Sequence, residues 1–403
     1  MRVLFTTPIL EHPAAGGPQL RIENSIKALS RICDLYVVAR TPAFTIGGVG
    51  SLQFYRDHCR EFSIAPSSAG LSSNRYLRAF QTRYRRYFHS EADVDLILQT
   101  IERNGIRILW FGFGNISMPL IRSIKRRRPE LKMICDTDSV WSRFVLRELP
   151  YETDARRSAE IEKQGREKEQ EEREWVDLCD VTTAVSPVDA DYYRSIATYP
   201  DRVMLFSNVI DMDAYRTSAS PPPDFHRPCI YLAGTFGHVH SPMDRAARWV
   251  LEEILPKVRA RIPDVHFYIV GRGTERTLRS VTDPNVTVMG KLPSVLPYLC
   301  NADVALVPLQ FESGTRFKIL EAGACGVPIV STTLGAEGIP VRHGTHVLLA
   351  DDAASFSDAI VKLISDRQFA SSLAAGCRRL IEDRYGLRQL EREGNAILQR
   401  VAS

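Results

Sequence analysis

Short apolar runs and amphipathic stretches alternate along this chain, and the alternation predicts a repeating strand–helix order. Residues 2–8 are apolar enough for a buried strand. From Pro18 to Ile32, Leu20, Ile22, Ile26, Leu29 and Ile32 recur at helical spacing, and DLYVVAR then predicts a second strand. The pattern continues with a helix over 91–104, a strand over 106–113, a helix over 116–128 and the strand KMICDTD. A long charged helix is expected over 153–177, anchored by Ile161, Trp175 and Val176. DVTTAVSPVDADYYRSI gives strand, turn and helix, and RVMLFSNVIDMDAY a last strand with its exit loop. Residues 217–228, TSASPPPDFHRP, read as a stiff linker because three consecutive prolines hold the backbone extended. The β–α order then restarts with CIYLAGTFG, a helix near 242–261, VHFYIVGRG, VTVMGKL and a helix near 294–300. Helices are expected from about 353 to the end. Strands separated by helices imply α/β architecture with parallel sheets.

The stretch 303–339, DVALVPLQFESGTRFKILEAGACGVPIVSTTLGAEGI, is the most informative. A strand over 303–309 leads to Ser313-Gly314-Thr315, read as a helix start. The helix runs to about Cys325, Gly326-Val327-Pro328 stops it, and PIVSTT is the next strand. At helical spacing Gly314, Lys318, Glu321 and Cys325 share one stripe, and Phe317, Leu320 and Ala324 share a core-facing one. Two readings stand for the polar stripe. It is a solvated Lys–Glu pair worth about 0.3–0.5 kcal/mol. Alternatively, Arg316, Lys318 and the amides of Gly314-Thr315-Arg316 hold a diphosphate at a helix N-terminus, and Glu321 accepts from ribose hydroxyls.

Other features add candidates. Gly16-Gly17 follows the first strand, where open α/β sheets bind ligands, and His12 lies just before it. Gly234-Thr235 and Gly271-Arg272-Gly273 also follow strands, although Arg276 breaks the full dinucleotide fingerprint. Asp136 and Asp138 spell Asp-x-Asp at a strand end, and so do Asp211 and Asp213, which makes the spelling cheap as a metal signal. No metal site is expected. Asp138 is kept as an acceptor-side candidate. Residues 73–89, SNRYLRAFQTRYRRYFH, put Tyr76, Leu77, Phe80, Tyr84, Tyr87 and Phe88 on one stripe among five arginines. That stretch either packs its aromatics on the core, the favoured reading, or lies on anionic lipid as a peripheral membrane contact.

The composition is that of a globular protein: 403 residues, 44% hydrophobic and 25% charged, long enough for two or three domains. A net charge of +4 is too mild to imply nucleic acid, and eight cysteines without a CxxC spelling read as reduced thiols. With neither an apolar run near membrane-spanning length nor a leader pattern, the expected compartment is cytoplasm, with attachment to the inner membrane face left open.

The stretch GTRFKILEAGACGVPIVSTTLGAEG resembles the donor-site signature of retaining glycosyltransferases of the GT-B fold, family four. The resemblance implies two Rossmann-like domains facing a central cleft: an acceptor domain over 1–216, the linker 217–228, and a nucleotide-sugar donor domain over 229–386. It also implies a final helix over about 387–403 that packs back on the first domain. Glu321 takes the place of the family glutamate that grips the ribose. The family's second glutamate, eight places earlier, is Ser313 here, with Glu312 beside it. Asn208 and Asp211 match the family's N-G-V-D segment without its glycine, and GTFGHVHSP lacks the usual Arg/Lys pair. Arg316 and Lys318 are therefore expected to supply the catalytic positive charge. Gly16, Gly17, Gly234, Thr235, Gly271, Gly273, Gly314, Thr315 and Glu321 are expected to bind the donor, and His12 and Asp138 to face the acceptor. The implied reaction moves a sugar from a nucleotide-sugar, a substrate rather than a cofactor, to a glycan or lipid-linked acceptor, with retention and without metal. A nucleotide-sugar epimerase of the same architecture, or a catalytically silent scaffold in a polysaccharide-assembly complex, are the alternatives.

Overall fold

A computed structural model of the chain describes residues 1–14, 16–40, 49–66, 91–215 and 219–403. The Arg-aromatic stretch at 73–89 therefore lies outside the described residues. The chain folds as two compact units: residues 1–142, 164–208 and 387–403 form the first, and residues 143–163 and 209–386 the second.

The first unit holds a parallel seven-stranded sheet of β1 (Arg2–Thr7), β2 (Asp34–Ala39), β3 (Glu61–Ile64), β4 (Ile108–Gly112), β5 (Lys132–Asp136), β6 (Val181–Ala184) and β7 (Val203–Leu205). Their spatial order is β3-β2-β1-β4-β5-β6-β7. The order reverses between β1 and β4, where Val3 pairs with Ile108 and Phe5 with Trp110. The central strand β4 is buried throughout, as expected of a parallel strand covered on both faces. The final helix, Leu387–Ala402, belongs to this unit and crosses the helix Gly17–Leu29 closely. A Cβ at Gly394 would stand 2.8 Å from Ile32. Glu393 fastens it by accepting from the Ser207 amide at 2.7 Å and the Ser207 hydroxyl at 2.9 Å.

The second unit holds a parallel six-stranded sheet of β8 (Cys229–Ala233), β9 (His266–Val270), β10 (Val286–Met289), β11 (Val304–Val307), β12 (Ile329–Ser331) and β13 (Leu348–Leu349). The order is β10-β9-β8-β11-β12-β13, with the reversal between β8 and β11. In open α/β sheets such a reversal leaves a crevice at the carboxyl ends of the strands, flanked by the two loops that turn in opposite directions. Here those are the loops after Ala233 and after Val307.

Two boundaries differ from the sequence reading. Residues 143–163, expected with the first domain, group with the second unit. Periodicity gave no sign of this, because the tie is a long-range one: Arg147 binds Glu337. The signature helix spans Phe317–Ala324 rather than starting at 313–315. Gly314 has φ 80° and Arg316 is extended, so neither continues a helix backward.

Candidate functional site

In the second unit, the turn after β8 and the turn after β9 are built as one piece. Gly234 N–H donates to Val270 O at 3.0 Å, and Phe236 N–H donates to Arg272 O at 2.8 Å. The approach is so close that a Cβ at Gly271 would lie 1.7 Å from Gly234 O, and one at Gly273 1.8 Å from Phe236 O. Gly271 also has φ 146°, in the region that favours glycine. The spelling GRG is thus explained by backbone packing. Gly234 and Thr235 are brought to the carboxyl end of β8, beside the strand-order reversal.

Across that reversal, β11 leads into the second wall. Leu309, Phe311, Ser313, Gly314, Thr315 and Arg316 are all buried. Arg316, expected beside Lys318 on a diphosphate, turns into its own loop. Its Nη1 donates to Ser313 O at 2.6 Å and also to Gly314 O. Gly314 makes the reversal of direction that this inward turn requires.

The helix Phe317–Ala324 then presents the two residues singled out for chemistry. Phe317, Ile319, Leu320, Ala322 and Ala324 are buried, as the apolar stripe predicts. Gly323 sits where a Cβ would meet Cys377 Sγ and Ile381 Cγ1 at 2.9 Å, so it lets the helix Arg367–Arg384 pack close. Lys318 and Glu321 remain half-buried on the other side. Burial pushes the Lys318 ammonium below its ordinary range, against the pull of the Glu312 carboxylate. Among the described residues Lys318 has neither a hydrogen-bond nor an ion-pair partner. Burial pushes the Glu321 carboxyl above its ordinary range, opposed by a hydrogen bond from Tyr215 and by the charge of Lys318. Tyr215 Oη donates to Glu321 Oε1 at 3.0 Å. A half-buried cation and a half-buried carboxylate on one helix, beside a glycine turn at a sheet reversal, suit a ligand with an anionic part and a hydroxylated part.

Arg147 and Tyr215 were not singled out by the sequence. Arg147 Nη1 donates to Glu312 O at 2.7 Å, at the entrance to the glycine turn, and its guanidinium pairs with Glu337. No local pattern marks either residue, since each acts on a segment more than 100 positions away.

In the first unit, Gly16 caps the helix Gly17–Leu29 with φ 120°, and its carbonyl accepts from Leu20 N–H at 2.9 Å. His12 lies on the same loop. Its Nδ1 bonds Glu23 Oε2 at 2.7 Å, and its ring stacks on Phe54 at 4.1 Å. Glu23 also accepts from Ala14 N–H at 3.1 Å and pairs with Lys27 at 2.9 Å. Glu23 thus holds the loop after β1 in place, and Nδ1 of His12, donating to a carboxylate, carries the proton.

The two aspartates of the Asp-x-Asp spelling have different surroundings. Asp136 is fully buried, paired with Arg21, and accepts from Thr183 Oγ1 at 2.7 Å. Arg21 also donates to Asn208 Oδ1 at 2.7 Å and to Phe206 O at 3.0 Å, tying β5 to the loop after β7. Asp138 is half-buried and accepts from Asn115 Nδ2 at 2.9 Å. Burial pushes its carboxyl up, and the Asn115 bond opposes the shift. Among the described residues no group of three or more His, Cys, Asp or Glu is placed to hold a metal ion. Nor is any helix of those residues long and apolar enough to cross a membrane.

Comparison with known proteins agrees with this geometry. Residues 230–366 match the family described as Glycosyl transferases group 1. A GDP-mannose-dependent monoacylated alpha-(1-6)-phosphatidylinositol monomannoside mannosyltransferase of Corynebacterium glutamicum is 28% identical over 145 residues. That match covers 33% of this chain and 38% of the relative, so the likeness spans well under half of the relative's length. Among solved structures, sucrose-phosphate synthase from Thermosynechococcus elongatus superposes with a TM-score of 0.72 at 16% identity, covering 100% of both chains. Anabaena HepE, in complex with UDP and glucose, superposes with a TM-score of 0.66 at 13% identity, covering 99% of both chains. At such identities the structural likeness speaks for the fold. The likeness to the glycosyl transferases group 1 thus lies in residues 230–366, and the two Rossmann-like units share the fold of the GT-B glycosyltransferase structures.

Proposed function

We propose that the protein transfers a sugar from a nucleotide-sugar to a hydroxyl acceptor, with retention at the anomeric carbon and without a metal ion. The observation that carries the proposal is the placement of Lys318 and Glu321, both half-buried on one helix beside the Gly314 turn. In this reading Glu321, aligned by Tyr215, accepts from the ribose hydroxyls. Lys318 faces the diphosphate, where negative charge grows as the sugar leaves. A fixed cation there lowers the barrier more than it tightens ground-state binding. Arg316 lends its charge from behind the turn and keeps the turn's shape. Gly234, Thr235, Gly271, Gly273 and Thr315 line the donor side of the second unit. His12 and Asp138 serve the acceptor.

Chemically, the acceptor oxygen bonds to the anomeric carbon on the face that the diphosphate leaves. The acceptor proton passes to a departing phosphate oxygen, so no protein base is needed for that step. The nucleotide-sugar is a substrate, and the proposal needs no cofactor. The mannosyltransferase relative is named for GDP-mannose and a phosphatidylinositol-based acceptor, whereas the HepE complex holds UDP and glucose. Both support a nucleoside diphosphate sugar as donor, and the former supports a lipid-linked acceptor. A thermal-shift screen of UDP, GDP and ADP tests the donor reading. One diphosphate should raise the melting temperature of the wild type and fail to do so in Glu321→Ala. Indifference of the wild type to all three would overturn it.

A further inference from the structure

The helix Phe317–Ala324 ends on Cys325, whose amide donates to Glu321 O at 3.0 Å. Its thiol does not stand alone. Cys300, which ends the short helix Leu296–Leu299, brings its Sγ within 3.4 Å of Cys325 Sγ. Both cysteines are half-buried, so small reagents reach them. The remaining cysteines are differently placed: Cys135, Cys179, Cys229 and Cys377 are buried. Cys33 and Cys59 are half-buried, and burial pushes both thiols up to about 12. The close thiol–thiol contact instead draws Cys300 down to about 7, while the same contact and burial push Cys325 up. Cys300 is thus the nucleophile of the pair and Cys325 its resolving partner. Glu321 and Arg378 are the charged groups close enough to act on Cys325.

We propose that Cys300 and Cys325 form a reversible disulfide at the end of the donor helix, with a low-molecular-weight disulfide as oxidant. The Cys300 thiolate attacks one sulfur of the oxidant, forms a mixed disulfide and expels the first thiolate. Cys325 then gives up its proton and attacks the Cys300 sulfur, expelling the second thiolate. The protein loses two electrons and two protons, and one oxidant molecule becomes two thiols. Closing the bond requires the sulfurs to move from 3.4 Å apart to about 2.05 Å. That movement pulls on the last turn of the helix, the turn that begins at Glu321. Oxidation therefore changes nucleotide affinity at Glu321, a consequence that rests on the sugar-transfer reading, whereas the disulfide itself does not.

The test incubates the full chain with oxidised glutathione at pH 7.5, followed by peptide mapping under non-reducing conditions. The expected product is a single cross-linked peptide pair containing residues 300 and 325, lighter by two hydrogens, reversed by dithiothreitol and absent from Cys300→Ser and Cys325→Ser. An unlinked native protein, beside a urea-unfolded control that does react, would overturn the site, as would cross-linking of Cys300 to another cysteine. Titration of reduced and oxidised protein with UDP, GDP and ADP should show an affinity change of about fivefold or more for the one that binds. Equal affinities in a fully cross-linked sample would overturn the coupling to Glu321. If the reduced protein binds none of the three nucleotides, the sugar-transfer reading and the coupling fall together, and the mass map still decides the disulfide.

Discussion

Arg147 grips Glu337 at two points, Nη1–Oε2 at 2.6 Å and Nη2–Oε1 at 2.7 Å, while Nη1 also donates to Glu312 O. One planar guanidinium thus joins the segment before the charged helix, the loop after β12 and the glycine turn after β11. Lysine carries the charge but cannot reproduce the fork. Arg147→Lys should cost about 1 kcal/mol of stability, since the pair is only partly exposed, and should weaken nucleoside diphosphate binding severalfold through the loosened turn. Urea unfolding and calorimetric titration check the two effects. Unchanged affinity with reduced stability would confine Arg147 to holding the fold.

Glu321→Ala should weaken binding of the nucleotide donor by about 1.5–3 kcal/mol, because a charged acceptor for the ribose is lost. Tyr215→Phe should produce a smaller loss, since it removes only the bond that aligns the carboxylate. Calorimetry on the folded variants measures both. Equal affinities for wild type and Glu321→Ala would remove the ribose contact from the account.

The Glu321 carboxyl also fixes a pH dependence. Burial raises its pKa in the folded chain, so the folded state holds that proton more tightly than the unfolded state. The stability this contributes is complete below the unfolded carboxyl range and is lost as pH rises through the raised folded value. Glu321→Gln, which mimics the neutral form and can still accept from Tyr215, should therefore melt higher than the wild type at pH 7–8. The difference should close as pH falls below the ordinary carboxyl range. Melting curves across pH 4–8 provide the check, and a gap that widened at low pH would reverse the sign argued here.

Lys318→Ala should reduce turnover more than donor affinity, because its charge meets the diphosphate most strongly as the leaving group develops. Kinetics that separate kcat from KM measure the split. Equal losses in both would make Lys318 a simple anchor for the ground state.

Gly271→Ala should destabilise the second unit by about 1–3 kcal/mol from backbone strain alone, before the clash with Gly234 O is counted. Gly237→Ala is a fair control, because a Cβ there meets nothing within 4 Å. Chemical denaturation of the two variants should separate them clearly, and similar midpoints would remove the packing argument for the GRG turn.

Much of the fold was legible because buried parallel strands leave near-continuous apolar runs: stretches such as IRILWFGF at 106–113 cannot be solvated. The apolar stripe of Phe317, Leu320 and Ala324 was readable for the same reason. The helix start was not, since periodicity cannot see that Gly314 takes a positive φ or that Arg316 folds back on the carbonyls of Ser313 and Gly314. Arg147, Tyr215 and Arg21 also escaped, because their partners Glu337, Glu321 and Asp136 are fixed by tertiary packing, not by spacing. Helical spacing puts Lys318 and Glu321 on one face, where both are half-buried, but spacing alone left open whether they bind a ligand, and it was the resemblance that singled them out.

The measurement that bears most directly on the central claim is release of nucleoside diphosphate from a panel of UDP-, GDP- and ADP-sugars in the presence of a metal chelator. The wild type should release diphosphate from one donor class, slowly with water alone and faster with a glycan or lipid-linked acceptor, and Lys318→Ala and Glu321→Ala should both be impaired. Absence of release from every donor, or release as fast in the two variants as in the wild type, would contradict the assignment of sugar transfer to the Lys318–Glu321 helix.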